Sequence, residues 1–557
     1  MTRTRLIDLA VVIALGYFQY YLLHNHLDFL FLDEAGQYRW LALVLSLTPL
    51  FALYFLLRVV LPCTVAGVLT AGASLLLTEI SNTKQALTTE PLSWTDITRT
   101  DNLSVVPHYI SQSHIIYALL VVAAIVLLMR LDRTTRLKKT GVLLAVLFSL
   151  LSLHPYLNRI DTPLSHVAQF ELTRQDIHYV VWDWPRNIRK NGLLTHLVQT
   201  SQRRMPPKPS TTEREQFDIL KASSIDTSAQ PSNIIVILCE ACWHDEQHFK
   251  EAFSPLKKIG FQAFRAIAPV YGGGTVNSAF ELLTGLPANG ALNGIIYQEY
   301  TKLLSPQAWS WPRSLENIGY ASVSLHNHNA VFWNRHIINP KLGFRRFLAL
   351  EDMNYDGPIW ANDEILFKAA TQERQNSDRP NFQFITTVYT HGAYYPRDGD
   401  HGEQHYQEKL TQSLRDAADF ADQLLARHPD SLILLVGDHK PALTHFFHQE
   451  NIFSDDFFIR TGEMNSDYMF SPSAPKEILG DVPGYIYYRG QDLAARLNHQ
   501  PFFCLGQIIN DVSAGAILPA FQYARHYDLC SSTPNLTYTQ RSESYPGWLY
   551  SASLFDF

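Results

Sequence analysis

Apolar residues follow two different rhythms along this chain. Up to residue 158 they come in long runs, at 7–23, 40–57, 59–78, 115–129 and 140–157, with few charges between them. Each is long enough, or nearly so, to cross the roughly 30 Å hydrocarbon core of a bilayer. From about residue 232 the apolar stretches shorten to strand length. Strands are predicted at 233–240, 320–325, 381–389, 431–437 and 484–488, separated by longer segments with helical spacing. Strands interleaved with helices predict a mostly parallel sheet covered by helices on both faces. The expected organisation is a five-helix transmembrane domain over 1–158, a helical juxtamembrane segment and linker over 159–231, and an external α/β domain over 232–557. Within the middle segment, helical patterning over 159–205 is broken at Pro185, and RRMPPKPSTTERE at 203–215 reads as linker.

Basic residues orient the membrane half. Arg3 and Arg5 precede the first run, and Arg130, Arg133, Arg136, Lys138 and Lys139 lie between the fourth and fifth. The 24–38 loop has no Lys or Arg, and the 80–114 loop has only Lys84 and Arg99. The positive-inside rule then puts the N-terminus in the cytoplasm, and an odd number of spans puts everything after 158 outside. The first run has a signal-peptide-like start but no convincing cleavage site, so it is expected to stay as an anchor. Nucleoside triphosphates are absent on the outer side, and the simplest activated donor there is a membrane lipid. The 80–114 loop, with Leu92, Trp94 and Ile97 among charges, reads either as a solvated connector or as a short interfacial helix.

A net charge of −7, with no basic stripe in the soluble part, gives no support to nucleic-acid binding. Five cysteines are too few and too scattered for a disulfide framework. Cys504 and Cys530 could pair outside the cytoplasm. Cys239 and Cys242 have CxxC spacing, but the first falls in a predicted buried strand, and a core role is expected for them rather than redox chemistry.

The candidate chemistry sits at strand ends. Glu240 closes the run NIIVILCE, and Asp438-His439 close SLILLVGDH. A carboxylate ending so apolar a strand is costly unless paired or metal-bound. Thr275 follows YGGGT and opens the helix-like TVNSAFELLTG. Three glycines allow close backbone approach to a phosphate, and the helix start favours an anion. Locally, Thr275 also fits a plain helix cap. A second cluster, SLHNHNAVFWNR, holds His326, Trp333 and Arg335, and His391 follows another strand in TTVYTHGAYYP. Arg335 can grip a phosphate with its planar fork, and Trp333 can offer a flat face to glycerol. His244, His248, His401, His405, His445 and His448 are expected to be surface or packing residues.

Taken together, Glu240, GGGT275, HxxxxxxWxR, His391 and GDH439 resemble the lipoteichoic acid synthase and phosphoglycerol transferase branch of the alkaline phosphatase and sulfatase superfamily. The five-span half and an outer loop containing EPL also match, so the resemblance runs from residue 1 to about 500. It implies a sulfatase-like external domain in which Glu240, Thr275, Asp438 and His439 bind one divalent ion, Mn²⁺ first, with Mg²⁺ or Zn²⁺ as alternatives. It implies Thr275 as nucleophile, and His326, Trp333, Arg335 and His391 as the holders of the phosphoglycerol group. Phosphatidylglycerol, or another anionic phospholipid, is the implied donor. The implied acceptor is a glycan or polymer on the outer side of the bacterial cell (inner) membrane. Lys440 replaces the glycine of the family's GDHG, CEACW lacks the usual serine after its glutamate, and the last fifty or so residues lie outside the resemblance. The alternatives are phosphoethanolamine transfer by the same chemistry, a phosphodiesterase or sulfatase-type hydrolase, and a non-enzymatic scaffold. Sulfatases need a Cys or Ser where this chain has Thr275, and phosphoethanolamine transferases tend to be rich in disulfides.

Overall fold

A computed structural model describes residues 3–556 except 34–35, 89–90, 99–122, 124–126, 133, 135–136, 154–176, 178, 182, 224–228, 398, 461–467, 472–473, 490 and 532–535. The chain forms two compact units, Met1–Arg203 and Arg204–Phe557.

In the first unit, among the described residues, three helices are long and apolar enough to cross a membrane: Leu6–His26, Trp40–Arg58 and Cys63–Ala86. Five spans were expected. The run at 115–129 falls mostly outside the described residues. The last run forms the helix Lys138–Leu153, whose 16 residues reach only about 24 Å at 1.5 Å per residue. The Lys138–Leu153 helix packs on Trp40–Arg58.

Polar contacts gather at one end of this bundle. The Arg58 guanidinium donates to both Asp8 carboxylate oxygens, at 2.7 and 3.2 Å, and the Tyr54 hydroxyl donates to the same group at 2.8 Å. Such a buried charge survives in apolar surroundings because it is paired and hydrogen-bonded. Nearby in sequence, Asp132 accepts from the Thr64 amide (2.8 Å) and hydroxyl (2.7 Å), which ties the basic loop to the start of the third helix.

Of the 80–114 loop, Trp94–Thr98 is a short helix with Trp94 and Ile97 exposed on it. Pro185 does not break a helix. It occupies the first turn of Trp184–Asn191, where its missing N–H costs nothing, and Asp183 caps that turn by accepting from the Arg186 amide. The break comes at Gly192, φ 83°, before the helix Leu193–Ser201. Only the start of the expected linker is irregular, because Ser210 and Glu213 form a capping box that opens the helix Thr211–Ala222.

The second unit is built on an eight-stranded sheet. Its strands are β1 (Asn233–Cys239), β2 (Gln262–Ile267), β3 (Ala321–His326), β4 (Arg346–Leu348), β5 (Asn381–Thr386), β6 (Leu432–Gly437), β9 (Asp481–Tyr488) and β10 (Gln500–Pro501). A separate hairpin pairs β7 (Phe458–Arg460) with β8 (Tyr468–Phe470). The sheet order is β10-β2-β9-β6-β1-β5-β3-β4. From β6 to β4 every pair is parallel, and β9 runs antiparallel to both its neighbours. NIIVILC and LILLVG are apolar throughout because β1 and β6 are buried on both faces. β1 is the position from which the chain winds in both directions, and α/β sheets open their ligand crevice at the carboxyl ends there.

Register sets those ends level. Leu238 lies opposite Thr386 and Val436, and Thr386 opposite His326. Glu240 and Asp438 therefore emerge side by side, two residues beyond a matched pair.

The C-terminal segment belongs to the core under the helix Thr275–Thr284. The Ser305 and Trp309 amides donate to the Leu554 and Ser553 carbonyls at 2.8 and 2.7 Å, and the Tyr550 hydroxyl reaches the Pro287 carbonyl at 2.8 Å. Cys504 and Cys530 are bonded. The Tyr538 hydroxyl donates to buried Glu281 at 2.5 Å, as does the Ala288 amide at 2.8 Å. Burial pushes the Glu281 carboxyl up to about 8 despite these donors. A raised carboxyl favours the protonated, folded state, and that contribution is complete below the unfolded value of 4.5 and disappears as pH rises through about 8. The Glu281→Gln variant should therefore flatten the fall in stability between pH 5 and 8 that wild type shows. Urea unfolding across that range measures it.

Candidate metal centre

Glu240, Asp438 and His439 are buried, and each offers one ligand atom within 4.8 Å of the others. His439 Nε2 lies 3.2 Å from Asp438 Oδ2 and 3.5 Å from Glu240 Oε1. The Thr275 hydroxyl donates to Glu240 Oε2 at 2.9 Å. All four expected ligands thus converge. Asp438 Oδ2 and His439 Nε2 are buried without a hydrogen-bond partner. Burial, then the Glu240 carboxylate beside it, pushes the Asp438 carboxyl up to about 7. Burial opposes charge on His439 as well, but Asp438 and Glu240 outweigh it and raise that imidazole. Two buried carboxylates, a hydroxyl and an imidazole with unpartnered atoms turned together suit a divalent cation.

Thr275 is not a helix cap. Gly274 holds that position with φ 86°, and Gly272 (66°) and Gly273 (154°) are also left-handed. This turn, open to glycine but strained for other residues, delivers Thr275 as the first residue of a ten-residue helix. Its side chain is then available to Glu240 instead of the helix start.

Glu240 is held by residues the sequence reading did not single out. Its amide donates to Thr387 Oγ1 at 2.9 Å, and Thr390 Oγ1 donates to its carbonyl. Both threonines lie in the quoted TTVYTHGAYYP, where a run of hydroxyls after a strand was the available signal.

The second cluster also assembles. His326 Nδ1 hydrogen-bonds the Thr386 carbonyl at 2.9 Å, and its buried Nε2 has no partner. Burial and the Arg335 charge hold His326 well below its usual value, so it is neutral at pH 7. Arg335 is itself buried. Burial lowers its guanidinium to about 10 while Tyr297, Glu240 and Asp438 pull the other way, so it keeps its charge. Its guanidinium stands 5.6 Å over Phe332. Trp333 adjoins Phe332, 5.7 Å between rings, and packs partly on the core. His391 Nδ1 lies 2.6 Å from the Gly392 carbonyl, and its ring stacks on Trp360 at 4.2 Å and 18°. Trp360 also meets His328 (4.8 Å), which meets Phe332 (4.2 Å). His328 is visible in LHNHN. Trp360 is not visible, because its loop has neither strand nor helix periodicity. Buried Asp363 ties the surrounding loops together, accepting from Asn327, Ser413 and the Val388 amide.

Lys440, the departure from GDHG, points away from the ligands. Its ammonium donates to the carbonyls of Ile478 (2.6 Å), Leu479 (3.2 Å) and Asp481 (2.5 Å), and burial lowers it to about 7. Cys239 and Cys242, expected to be plain core residues, are bonded to each other, because the turn at Ala241 (φ 50°) brings their Cα atoms to 5.5 Å. The six unassigned histidines lie outside the ligand cluster. His244 packs between Phe253 and Tyr485, and His401, His445 and His448 join an aromatic group with Tyr468.

Fold and ligand set together define an α/β domain with a metal-type centre at its carboxyl edge, joined to apolar membrane-type helices. Residues 233–467 match the sulfatase family. A protein of Rhizobium meliloti (strain 1021) named for cyclic beta-1,2-glucan modification is 26% identical over 355 residues, covering 58% of this chain and 54% of that one. The match thus spans about half the length of that relative. Among solved structures, the lipoteichoic acid synthase LtaP of Listeria monocytogenes aligns at 17% identity and TM-score 0.40, covering 55% of this chain and 80% of its own. The Streptococcus pyogenes phosphoglycerol transferase GacH, solved with sn-glycerol-1-phosphate, aligns at 15% and TM-score 0.41, covering 63% and 96%.

Lys440→Met would remove the ammonium from three half-buried carbonyls. It should cost about 3 kcal/mol of stability while leaving divalent-cation affinity at the Glu240, Asp438 and His439 cluster within about twofold, since no contact of that cluster is lost. Denaturant melts paired with metal titration read both.

Proposed function

We propose that this chain is a membrane-bound transferase. It moves a phosphoglycerol group from phosphatidylglycerol to an extracytoplasmic glycan or polymer through a covalent intermediate on Thr275. The observation that carries this is the Thr275 hydroxyl, presented by a glycine turn and hydrogen-bonded to Glu240 within the ligand cluster.

Glu240, Thr275, Asp438 and His439 would hold the ion, Mn²⁺ first and Mg²⁺ or Zn²⁺ otherwise. When bound it supplies positive charge that acidifies the hydroxyl and offsets the phosphoryl oxygens. The Thr275 oxygen forms a bond to phosphorus, and the bond to the diacylglycerol oxygen breaks. Arg335 pairs with the phosphate as a planar donor fork. Neutral His326 presents Nε2 as an acceptor of protons or hydroxyl hydrogens. His391, with Nδ1 engaged by Gly392, presents Nε2 for the proton lost by the acceptor hydroxyl or gained by the leaving alcohol. The acceptor hydroxyl then displaces Thr275 from phosphorus in a second in-line step. A glycan acceptor is favoured by the name of the Rhizobium meliloti relative. The catalytic unit is external, a reading that the basic loops support, and the membrane is the bacterial cell (inner) membrane.

Ethanolamine transfer remains the second reading. Two disulfides among five cysteines remove the ground on which the sequence ranked it lower.

Full-length protein in mixed micelles, given headgroup-labelled phosphatidylglycerol or phosphatidylethanolamine and cyclic β-1,2-glucan, tests this. Label should pass from phosphatidylglycerol to the glucan. Thr275→Ala should lower transfer more than about a thousandfold with unchanged membrane insertion. Transfer from phosphatidylethanolamine alone would change the head group, release to water alone would make the protein a hydrolase, and undiminished turnover without Thr275 would remove the nucleophile.

A further inference from the structure

The metal ligand Glu240 is enclosed in a ring made by its own neighbours. Cys239 ends β1, Cys242 follows three residues on, and the bond between them closes a loop whose interior is Glu240 and Ala241. Ala241 is held in the left-handed region at φ 50°, which a residue with a side chain adopts only where its surroundings impose it. The corner also carries the second carboxylate. The Ala241 amide donates to Asp438 Oδ1 at 2.6 Å, and the Asp438 amide donates to the Cys239 carbonyl at 3.0 Å. Tyr406 supports the same corner from outside, donating to the Ala241 carbonyl at 2.7 Å and accepting from the Trp243 amide at 2.9 Å. β6 approaches the corner so closely that a Cβ on Gly437 would lie 2.0 Å from the Cys242 carbonyl oxygen. Both cysteines are fully buried, so the bond serves no surface role.

We propose that the Cys239–Cys242 disulfide is a positioning device for the metal centre, and that the site's affinity for its divalent cation depends on whether this pair is bonded. This rests on the metal reading of the site. The bond fixes the backbone from which Glu240 projects and the amide that orients Asp438. Reduction by a dithiol breaks one S–S bond, leaves two thiols bearing the two protons of the reductant, and releases the reductant as its own disulfide. The four-residue corner is then constrained by hydrogen bonds alone, and Ala241 can relax towards negative φ. Glu240 and the Ala241 donor move with it. Partners that orient metal ligands from behind typically set affinity by about 10- to 100-fold.

Mn²⁺ binding to full-length protein in detergent, by isothermal titration, tests this in two arms. In the first, Cys239→Ala/Cys242→Ala is compared with Cys504→Ala/Cys530→Ala, which removes the other disulfide. The first variant should bind Mn²⁺ roughly tenfold or more weakly, with faster hydrogen exchange at Ala241 and Asp438. The second should lower Tm and leave the dissociation constant unchanged. In the second arm, independent of whether the variant folds, wild type is partly reduced with dithiothreitol, and thiols are mapped by alkylation and mass spectrometry. Mn²⁺ affinity should fall in step with reduction at 239 and 242. Unchanged affinity with that pair open, or equal loss on opening either disulfide, overturns the proposal. Absence of Mn²⁺ binding to fully oxidised wild type would instead overturn the metal reading, and the proposal with it.

Discussion

Burying Glu240 and Asp438 side by side at the ends of paired strands is electrostatically unfavourable unless a cation joins them. Burial first, then the Glu240 charge, raises the Asp438 carboxyl, and the two carboxylates outweigh burial to raise the His439 imidazole. The architecture around them resists that repulsion. Strand register makes them neighbours, Thr387 and Thr390 hold the Glu240 backbone, and the Ala241 amide holds Asp438. Thr275 enters the same few ångströms only because three left-handed glycines aim it there.

The elements that read clearly from sequence are those with one dominant cause. β1 and β6 are buried on both faces, so their apolar runs mark them, and Glu240 and Asp438 stand out as charges at the ends of such runs. The Thr275 helix reads from its spacing and from the glycines on either side. What was illegible depended on partners distant in sequence. β4 and β10 are edge strands of three and two residues, and β2 lies beside β10, so pairing is what defines them. Pro185 reads as a breaker until Asp183 shows it to be the start of a helix. Trp360 gains its place only by stacking on His391, and the CxxC pair becomes a bond only because Ala241 turns left-handed.

Lys440 and the C-terminal segment show how departures from a pattern are absorbed. A lysine after the Asp-His pair places a charge beside the ligands on paper, but it turns to three backbone carbonyls at the start of β9. The last helices lie outside the Glu240, Asp438 and His439 cluster, yet Tyr538 reaches the helix Thr275–Thr284 through Glu281. Both stabilise the frame behind the site. At the front lie the Glu240, Asp438 and His439 cluster and the histidine and arginine group around Trp360.

The central claim is that a single alcohol, ionised among these ligands, becomes covalently loaded. Acid quenching of full-length protein after brief exposure to phosphatidylglycerol and Mn²⁺, followed by peptide mass spectrometry, tests it most directly. The account predicts a phosphoglycerol mass on the peptide containing Thr275, located on that residue by fragmentation and absent without Mn²⁺. A turning-over enzyme with Thr275 unmodified at every quench time, or the same mass on another residue, would contradict it.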